Sequence, residues 1–456
     1  MKITFIADTH YYSKSLGTCG KAYELRSGSD QKCLAETAEI TDAAFADIAK
    51  SDTDAVFILG DVSNDGEMIS HIEFRKKLYE LQKSKPVYLI TATHDWCCDE
   101  NPRRFEGDAV YNDVPVMKSY DLPKFYADFG PKQAISTFTA KIGTVCFVIA
   151  LSEKVRVLCL NDDKNENGHA GFDADCRKWI TEQIDDAKRC GCTLIGIEHH
   201  LLVPHISPLL TGGSTCVENR EEVASFFADA GLKYMFVGHS HIQHTDSFTS
   251  RAGNKITEVN VGALSGYPAP IVDVSVLENG RLEYNVRHLK SFLVNGHETD
   301  AGDYLARHAC DLIFRITECR DKKQFAERTE ALGINPKKLL PLWPVIKPLL
   351  KKIDTALVWD VYKFLKAMHL QGNLTRAQAL EYRYKPLREM IAEVWLSALD
   401  GSVNIHPKGS AYYNLVMAAV SAPSKTVKGN SDLRQLISAA DNILTGGSYN
   451  NQHDVI

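Results

Sequence analysis

Residues 88–96 read YLITATHDW. An apolar, strand-forming run from Tyr88 to Ile90 climbs as if into a core and then stops on His94 and Asp95. Nothing in packing asks a buried strand to end on an imidazole beside a carboxylate, because polar groups are costly to desolvate. Alone the pair is weak, since a histidine next to a solvated aspartate is common. It gains meaning because other strand-like runs end in the same way. KITFIAD leads into Asp8-Thr9-His10, and AVFILGD ends on Gly60-Asp61. TLIGIEHH stops on Glu198-His199-His200, and YMFVGHSH on Gly238-His239-Ser240-His241.

Outward from these runs, residues 1–290 alternate short apolar segments with stretches of helical spacing such as Leu34–Ala49 and His71–Gln82. Strand–helix alternation predicts sheets covered by helices, an α/β domain. IVDVSVLENGRLEYNVRHL differs: two alternating runs flank Asn279-Gly280, a strong hairpin signal, and close this domain with an antiparallel pair. Residues 291–456 read as a separate helical domain, with DTALVWDVYKFLKAMHL at helical spacing and a capping box at Thr375 and Gln378. INPKKLLPLWPVIKPLLKK is basic and amphipathic, but Pro341, Pro344 and Pro348 favour a kinked packing segment over a membrane-surface helix. The tail TGGSYNNQHDVI carries no packing pattern and is expected to fray.

Composition narrows the class. The net charge of −6 argues against a nucleic-acid footprint, which wants a basic face. No apolar run is long enough for a bilayer, and the opening MKITFIADTH reaches polar groups too early for a signal sequence. The 12 cysteines show no paired metal spacing and no disulfide frame, so reduced thiols in a cytoplasm are expected.

In open α/β sheets, ligands bind outside the carboxyl ends of the strands. Here those ends carry Asp8, His10, Asp61, His94, His199, His239 and His241. A mixed imidazole and carboxylate set suits borderline divalent ions, Zn, Fe or Mn. It is too large for one tetrahedral ion, and a carboxylate can bridge two. A two-metal centre is the natural construction.

The ordered set D-x-H, G-D, H-D, H, G-H-x-H resembles the calcineurin-like metallophosphoesterases over about residues 1–290. The loop YYSKSLGTCGKAYELRSGSDQK and the segment GDVSNDGEMISH are more similar to the bacterial cyclic-nucleotide phosphodiesterase branch, some members of which carry a helical C-terminal domain. The resemblance implies a four-layer α/β/β/α sandwich with two sheets face to face. It implies that Asp8, His10 and His241 hold one divalent ion, that Asp61 bridges, and that His199 (rather than His200) and His239 hold the second. His94 matches the histidine facing the leaving group, with Asp95 orienting it. One position departs: where the family has asparagine as a ligand of the second ion, this chain has Thr93, a shorter and weaker donor.

The resemblance therefore implies hydrolysis of a small-molecule phosphodiester, cyclic nucleotides among the candidates, by in-line attack of a hydroxide bridging two ions. Phosphomonoesterase or protein phosphatase activity fits the same scaffold. A degenerate metal- or nucleotide-binding regulatory protein is the alternative from another class, motivated by Thr93.

Overall fold

The structure is a computed structural model and describes residues 1–205, 215–331, 336–426 and 431–456. The strands of the first half are β1 (Lys2–Ile6), β2 (Ala55–Leu59), β3 (Val87–Ile90), β4 (Arg104–Glu106), β5 (Ala109–Tyr111), β6 (Ser136–Thr139), β7 (Val145–Ala150), β8 (Val155–Cys159) and β9 (Thr193–Ile197). They continue with β10 (Tyr234–Val237), β11 (His244–Thr249), β12 (Lys255–Asn260), β13 (Pro270–Val276), β14 (Leu282–His288), β15 (Ser291–Val294), β16 (His297–Asp300) and β17 (His453–Val455).

Two sheets form, in the orders β17-β14-β13-β1-β2-β3 and β11-β12-β10-β9-β8-β7-β6. The period of two along β2 explains how they stack. Ala55, Phe57 and Leu59 point inward, where they meet Val157, Ile195 and Phe236 of the opposing sheet. Phe5 and Phe236 stack across that interface with ring centroids 4.2 Å apart. Val56 and Ile58 point outward, under Ile40, Ala44 and Ile48 of helix Thr37–Lys50 and Phe74 and Leu78 of helix Met68–Gln82. On the far side, helices Ala174–Arg189 and Arg220–Ala230 cover Val148, Leu158 and Met235 with Trp179, Ile184 and Phe227. The result is the expected four-layer α/β/β/α sandwich. Fully burying each of these large side chains contributes about 1.5–3 kcal/mol.

The strands β1, β2 and β3 are mutually parallel, as are β8, β9, β10 and β12. Their carboxyl ends therefore open on one edge of the sandwich. The hairpin at Asn279-Gly280 forms as read, joining β13 to β14.

Two expectations change. Residues 291–300 are a further hairpin, β15–β16, lying against helix Thr37–Lys50, and helices resume only at Ala301. Its turn is Asn295-Gly296, with both residues at positive φ (52° and 81°), the same twist-matching turn chemistry that marks Asn279-Gly280. The tail does not fray: β17 pairs antiparallel with β14, and Ile456 packs into the inter-sheet core.

The helical region packs helix Ala301–Thr317 against helix Leu387–Leu399. The capping box at Thr375 forms, and Pro348 sits inside helix Trp343–Thr355, whose Trp343 and Leu350 are buried. No described helix is long and apolar enough to cross a membrane.

Candidate metal centre

The parallel strands β1, β2 and β10 deliver their polar residues by breaking abruptly. Asp8, His10, Asp61, His239 and His241 all sit in the left-handed region, at φ of 53°, 40°, 48°, 66° and 61°. For residues with a Cβ this costs about 1–2 kcal/mol each, and such strain persists only where the surrounding fold imposes it. Two glycines make room. A Cβ on Gly60 would stand 2.7 Å from His199 Nδ1, and one on Gly238 would stand 2.6 Å from Asp8 Oδ2.

The side chains converge. His10 Nε2 lies 3.0 Å from His241 Nε2, and Asp8 Oδ1 lies 3.6 Å and 3.5 Å from these two nitrogens. Asp61 Oδ2 stands between this group and the next, 3.9 Å from His10 Nε2 and 3.0 Å from His199 Nε2. Asp8, His10 and His241 form one group with ligand atoms within 4.8 Å of one another, and Asp61, His199 and His239 form a second. The structure thus brings together six of the sequence-predicted ligands, with Asp61 placed to serve both groups. His199, not His200, makes the approach to Asp61. His200 turns to Asp162, with Nδ1 3.2 Å from Oδ1.

The protonation states suit cations. Burial would raise the Asp8 carboxyl, but the His10 and His241 rings beside it outweigh burial and hold Asp8 well below the usual range. Asp61 is likewise depressed, with burial opposed by His199 and His94. Burial, reinforced by the nearby Lys32 ammonium, pushes His10 down to about 3 and leaves its ring neutral. His199 Nδ1–H donates to the Leu59 carbonyl at 2.7 Å, which turns the Nε2 atom toward Asp61. His241 Nδ1–H does the same toward Gln31 Oε1 at 3.2 Å. Fixing the tautomer through the far nitrogen is how metal-ligating histidines are oriented. Two imidazole nitrogens facing each other at 3.0 Å, with carboxylates around them, fit a divalent cation well.

His94 approaches from a short helical turn, Thr93–Trp96, and groups with His10 and Asp61. Its Nδ1–H is held by the Asn64 carbonyl, with Asp65 Oδ1 at 3.6 Å. Asp65 is fixed in turn by Arg103, whose Nε and Nη2 lie 3.0 Å and 2.9 Å from Oδ2. The expected orienting role of Asp95 is not what the structure shows. Asp95 accepts from the Ser63 and Ala92 backbone N–H groups at 2.8 Å, pinning the turn to the loop after β2. A carboxylate adjacent in sequence points away on so tight a turn, so the residue beside the ring comes from the Asn64-Asp65 loop instead. Asn64 and Asp65 lie within the segment GDVSNDGEMISH, where no local pattern marks this role. Gln31 carried no sequence signal, because its role arises when the long first loop folds back over His241. Thr93 opens the turn, half-buried, next to His94.

The sequence profile described as Calcineurin-like phosphoesterase matches residues 1–243. The chain belongs to that family. Membership supports a metal-dependent hydrolase, and the two ligand groups fit the family's dimetal chemistry. No curated protein matches the chain. Among solved structures, a dimetal phosphatase from Danio rerio is similar at 11% identity and a TM-score of 0.44, covering 64% of this chain and 98% of that one. A 5'-nucleotidase precursor from Thermus thermophilus is similar at 11% identity and a TM-score of 0.34, covering 69% and 59%. The NAD nucleotidase NadN of Haemophilus influenzae is similar at 10% identity and a TM-score of 0.32, covering 78% and 61%.

The helical region supports the site from behind. Ile242, the residue after His241, is buried against Ala309, Leu399 and Ile443. Gln243 N donates to the Leu399 carbonyl at 2.9 Å, and His308 Nε2 to the Asp30 carbonyl at 2.8 Å. Among the described residues, none beyond residue 290 joins a candidate ligand group.

Proposed function

We propose that this family member hydrolyses phosphodiesters, cyclic nucleotides among them, at a centre of two divalent ions (Mn, Fe or Zn). Asp8, His10 and His241 would hold one ion and His199 and His239 the other, with Asp61 shared between them and Thr93 the remaining candidate ligand of the second. When bound, the two ions lower the pKa of a water and neutralise charge on the phosphoryl oxygens. The observation that carries the reading is Asp61, whose Oδ2 stands between the two ligand groups while its Oδ1 accepts the His94 backbone N–H at 3.1 Å.

The protein's own part follows from the geometry. Asp61 positions the turn that presents His94, so the acid and the ions keep a fixed relation. With Nδ1–H held by Asn64, the His94 Nε2 atom is left to give a proton to the departing oxygen. Burial works against the charged ring, but Asp61 and Asp65 lift the His94 pKa above its ordinary value and favour the protonated form. No covalent intermediate is required.

A phosphomonoester is the second reading, and one observation favours it. Lys32 is buried (5% exposed) in the loop beside His241, and Asp30, its partner at 3.7 Å, is shared with Arg26. The surplus positive charge suits a dianionic phosphate. Turnover of cyclic nucleotides, linear diesters and monoesters by metal-loaded protein separates the readings. Absence of metal-supported turnover on every phosphoester would leave only the binding-protein alternative.

A further inference from the structure

We propose that Asp162, Asp163 and His200 form a third divalent-cation site beside the dimetal pair, independent of which ester is hydrolysed. These residues follow β8 and β9 and share no member with the two groups described above. They are 0%, 3% and 4% exposed, and their ligand atoms lie within 4.8 Å of one another.

Each carboxylate has one oxygen anchored and one free. Asp162 Oδ2 accepts the His200 backbone N–H at 2.8 Å, and Asp163 Oδ2 accepts Trp96 Nε1–H at 2.9 Å and Asn161 Nδ2–H at 3.1 Å. Asp162 Oδ1, Asp163 Oδ1 and His200 Nδ1 are buried with no hydrogen-bond partner. Asp162 Oδ1 and His200 Nδ1 stand 3.2 Å apart without hydrogen-bond geometry. Two ligands at about 2.1 Å from one ion and near a right angle to each other are separated by about 3 Å. Preceding His199 in the chain, Glu198 is fully buried and both its carboxylate oxygens lack a partner.

Charge gives the second argument. Two buried carboxyls meet a single imidazole here, and uncompensated buried charge is expensive. A divalent cation satisfies the orphaned atoms and balances the charge together. One imidazole with two carboxylates is an N/O set suited to Mn²⁺ or Zn²⁺. The His200 ring lies against the His239 ring with centroids 4.3 Å apart, so the third ion borders the second without sharing its ligands.

The test is a metal count on the full chain, stripped of metal and dialysed against Mn²⁺. Asp163→Asn is expected to hold one ion fewer than the wild type under the same dialysis, and His200→Gln the same. Should Asp163→Asn fail to fold, His200→Gln decides the count. Asp61→Asn, which disturbs the dimetal pair, is expected to keep the third ion. Because Trp96 donates to Asp163, Mn²⁺ added to Asp61→Asn should change Trp96 fluorescence, and the change should vanish when Trp96→Phe is added. Equal metal content in wild type and Asp163→Asn, or in wild type and His200→Gln, would overturn the proposal; the carboxyls would then be neutralised by protons. Failure of the phosphoesterase reading would show instead as absent turnover with this count intact.

Discussion

His199 Nε2 and Asp61 Oδ2 face each other at 3.0 Å, both fully buried, with the His199 Nδ1–H already committed to Leu59. Burial opposes a charged ring, but Asp61 lifts the His199 pKa well above its ordinary value, so the metal-free ring carries a proton on Nε2. A metal ion must displace that proton. Binding at the second site is therefore expected to release a proton and to tighten as pH rises through the raised pKa, weakening as pH falls. Calorimetric titration in two buffers of different ionisation heat measures the release. A binding enthalpy independent of buffer would show that no such proton exists.

Asp61 should control metal content more than any other ligand. Its carboxylate reaches toward both groups, whereas His241 serves only one. Asp61→Asn is the informative change, because asparagine tolerates the left-handed backbone at this position and keeps the hydrogen bond to His94 N. Loss of the negative charge is expected to lower occupancy of both dimetal sites, against one for His241→Gln. Equal losses in the two variants would remove the bridging role.

His94→Gln should leave the dimetal content intact and lower kcat by about 10²–10⁴-fold, the usual range for a lost general acid. The loss should shrink for a nitrophenyl diester, whose leaving group departs without protonation. Asp65→Asn is expected to act through His94 and shift the pH profile, whereas Asp95→Asn should act on stability. Uniform losses across leaving groups would make His94 a positioning residue.

The strand ends were legible because the chemistry sits one or two residues beyond an apolar run, where a sequence pattern and a fold rule meet. The layers were legible from the period of two in runs such as AVFIL. What local patterns could not carry is contact across long separations. Asp65 rather than Asp95 beside His94, and Gln31 behind His241, depend on loops meeting only in the folded chain. The tail looked unstructured because β17 is three residues of mixed polarity, and its strand character comes entirely from the edge offered by β14. Asn295-Gly296, by contrast, was a readable hairpin signal lying just past an assumed change to helices.

Asn451 ties that tail to both halves of the chain. Its Oδ1 accepts the Thr245 backbone N–H at 2.7 Å, and its Nδ2 donates to the Gly401 and Gly446 carbonyls at 3.2 Å and 2.9 Å. All three partners lose their bond in Asn451→Ala, at a residue only 2% exposed. A destabilisation of about 3 kcal/mol is expected, since each buried polar group left unpaired costs about 1–3 kcal/mol. Denaturant unfolding of the full chain measures it. Truncation near residue 290 should do worse, removing β17 and the support behind His241. A change below about 0.5 kcal/mol for Asn451→Ala, no more than an ordinary surface change gives, would mean that solvent already satisfies these groups.

Thr93 is the one place where the strand ending YLITATHDW parts from the family pattern. The turn from Thr93 to Trp96 is pinned at both ends: Asp95 accepts from Ala92 N, and Cys97 N donates to the His94 carbonyl at 3.1 Å. A side chain at position 93 is therefore held beside His94 whatever its length. An amide oxygen there would reach farther than the threonine hydroxyl and bind a cation better. The second group, Asp61, His199 and His239, is thus one good donor short of the set expected from the resemblance. In the wild type the second ion is expected to bind more weakly than the first. Thr93→Asn should tighten it by about tenfold, roughly 1.4 kcal/mol, and raise turnover when metal is limiting but not when it is saturating. Stepwise Mn²⁺ titration of metal-free wild type and Thr93→Asn reads both affinities. Two equally tight dimetal sites in the wild type, with no gain in the variant, would show that the threonine hydroxyl or a neighbouring group already completes the shell.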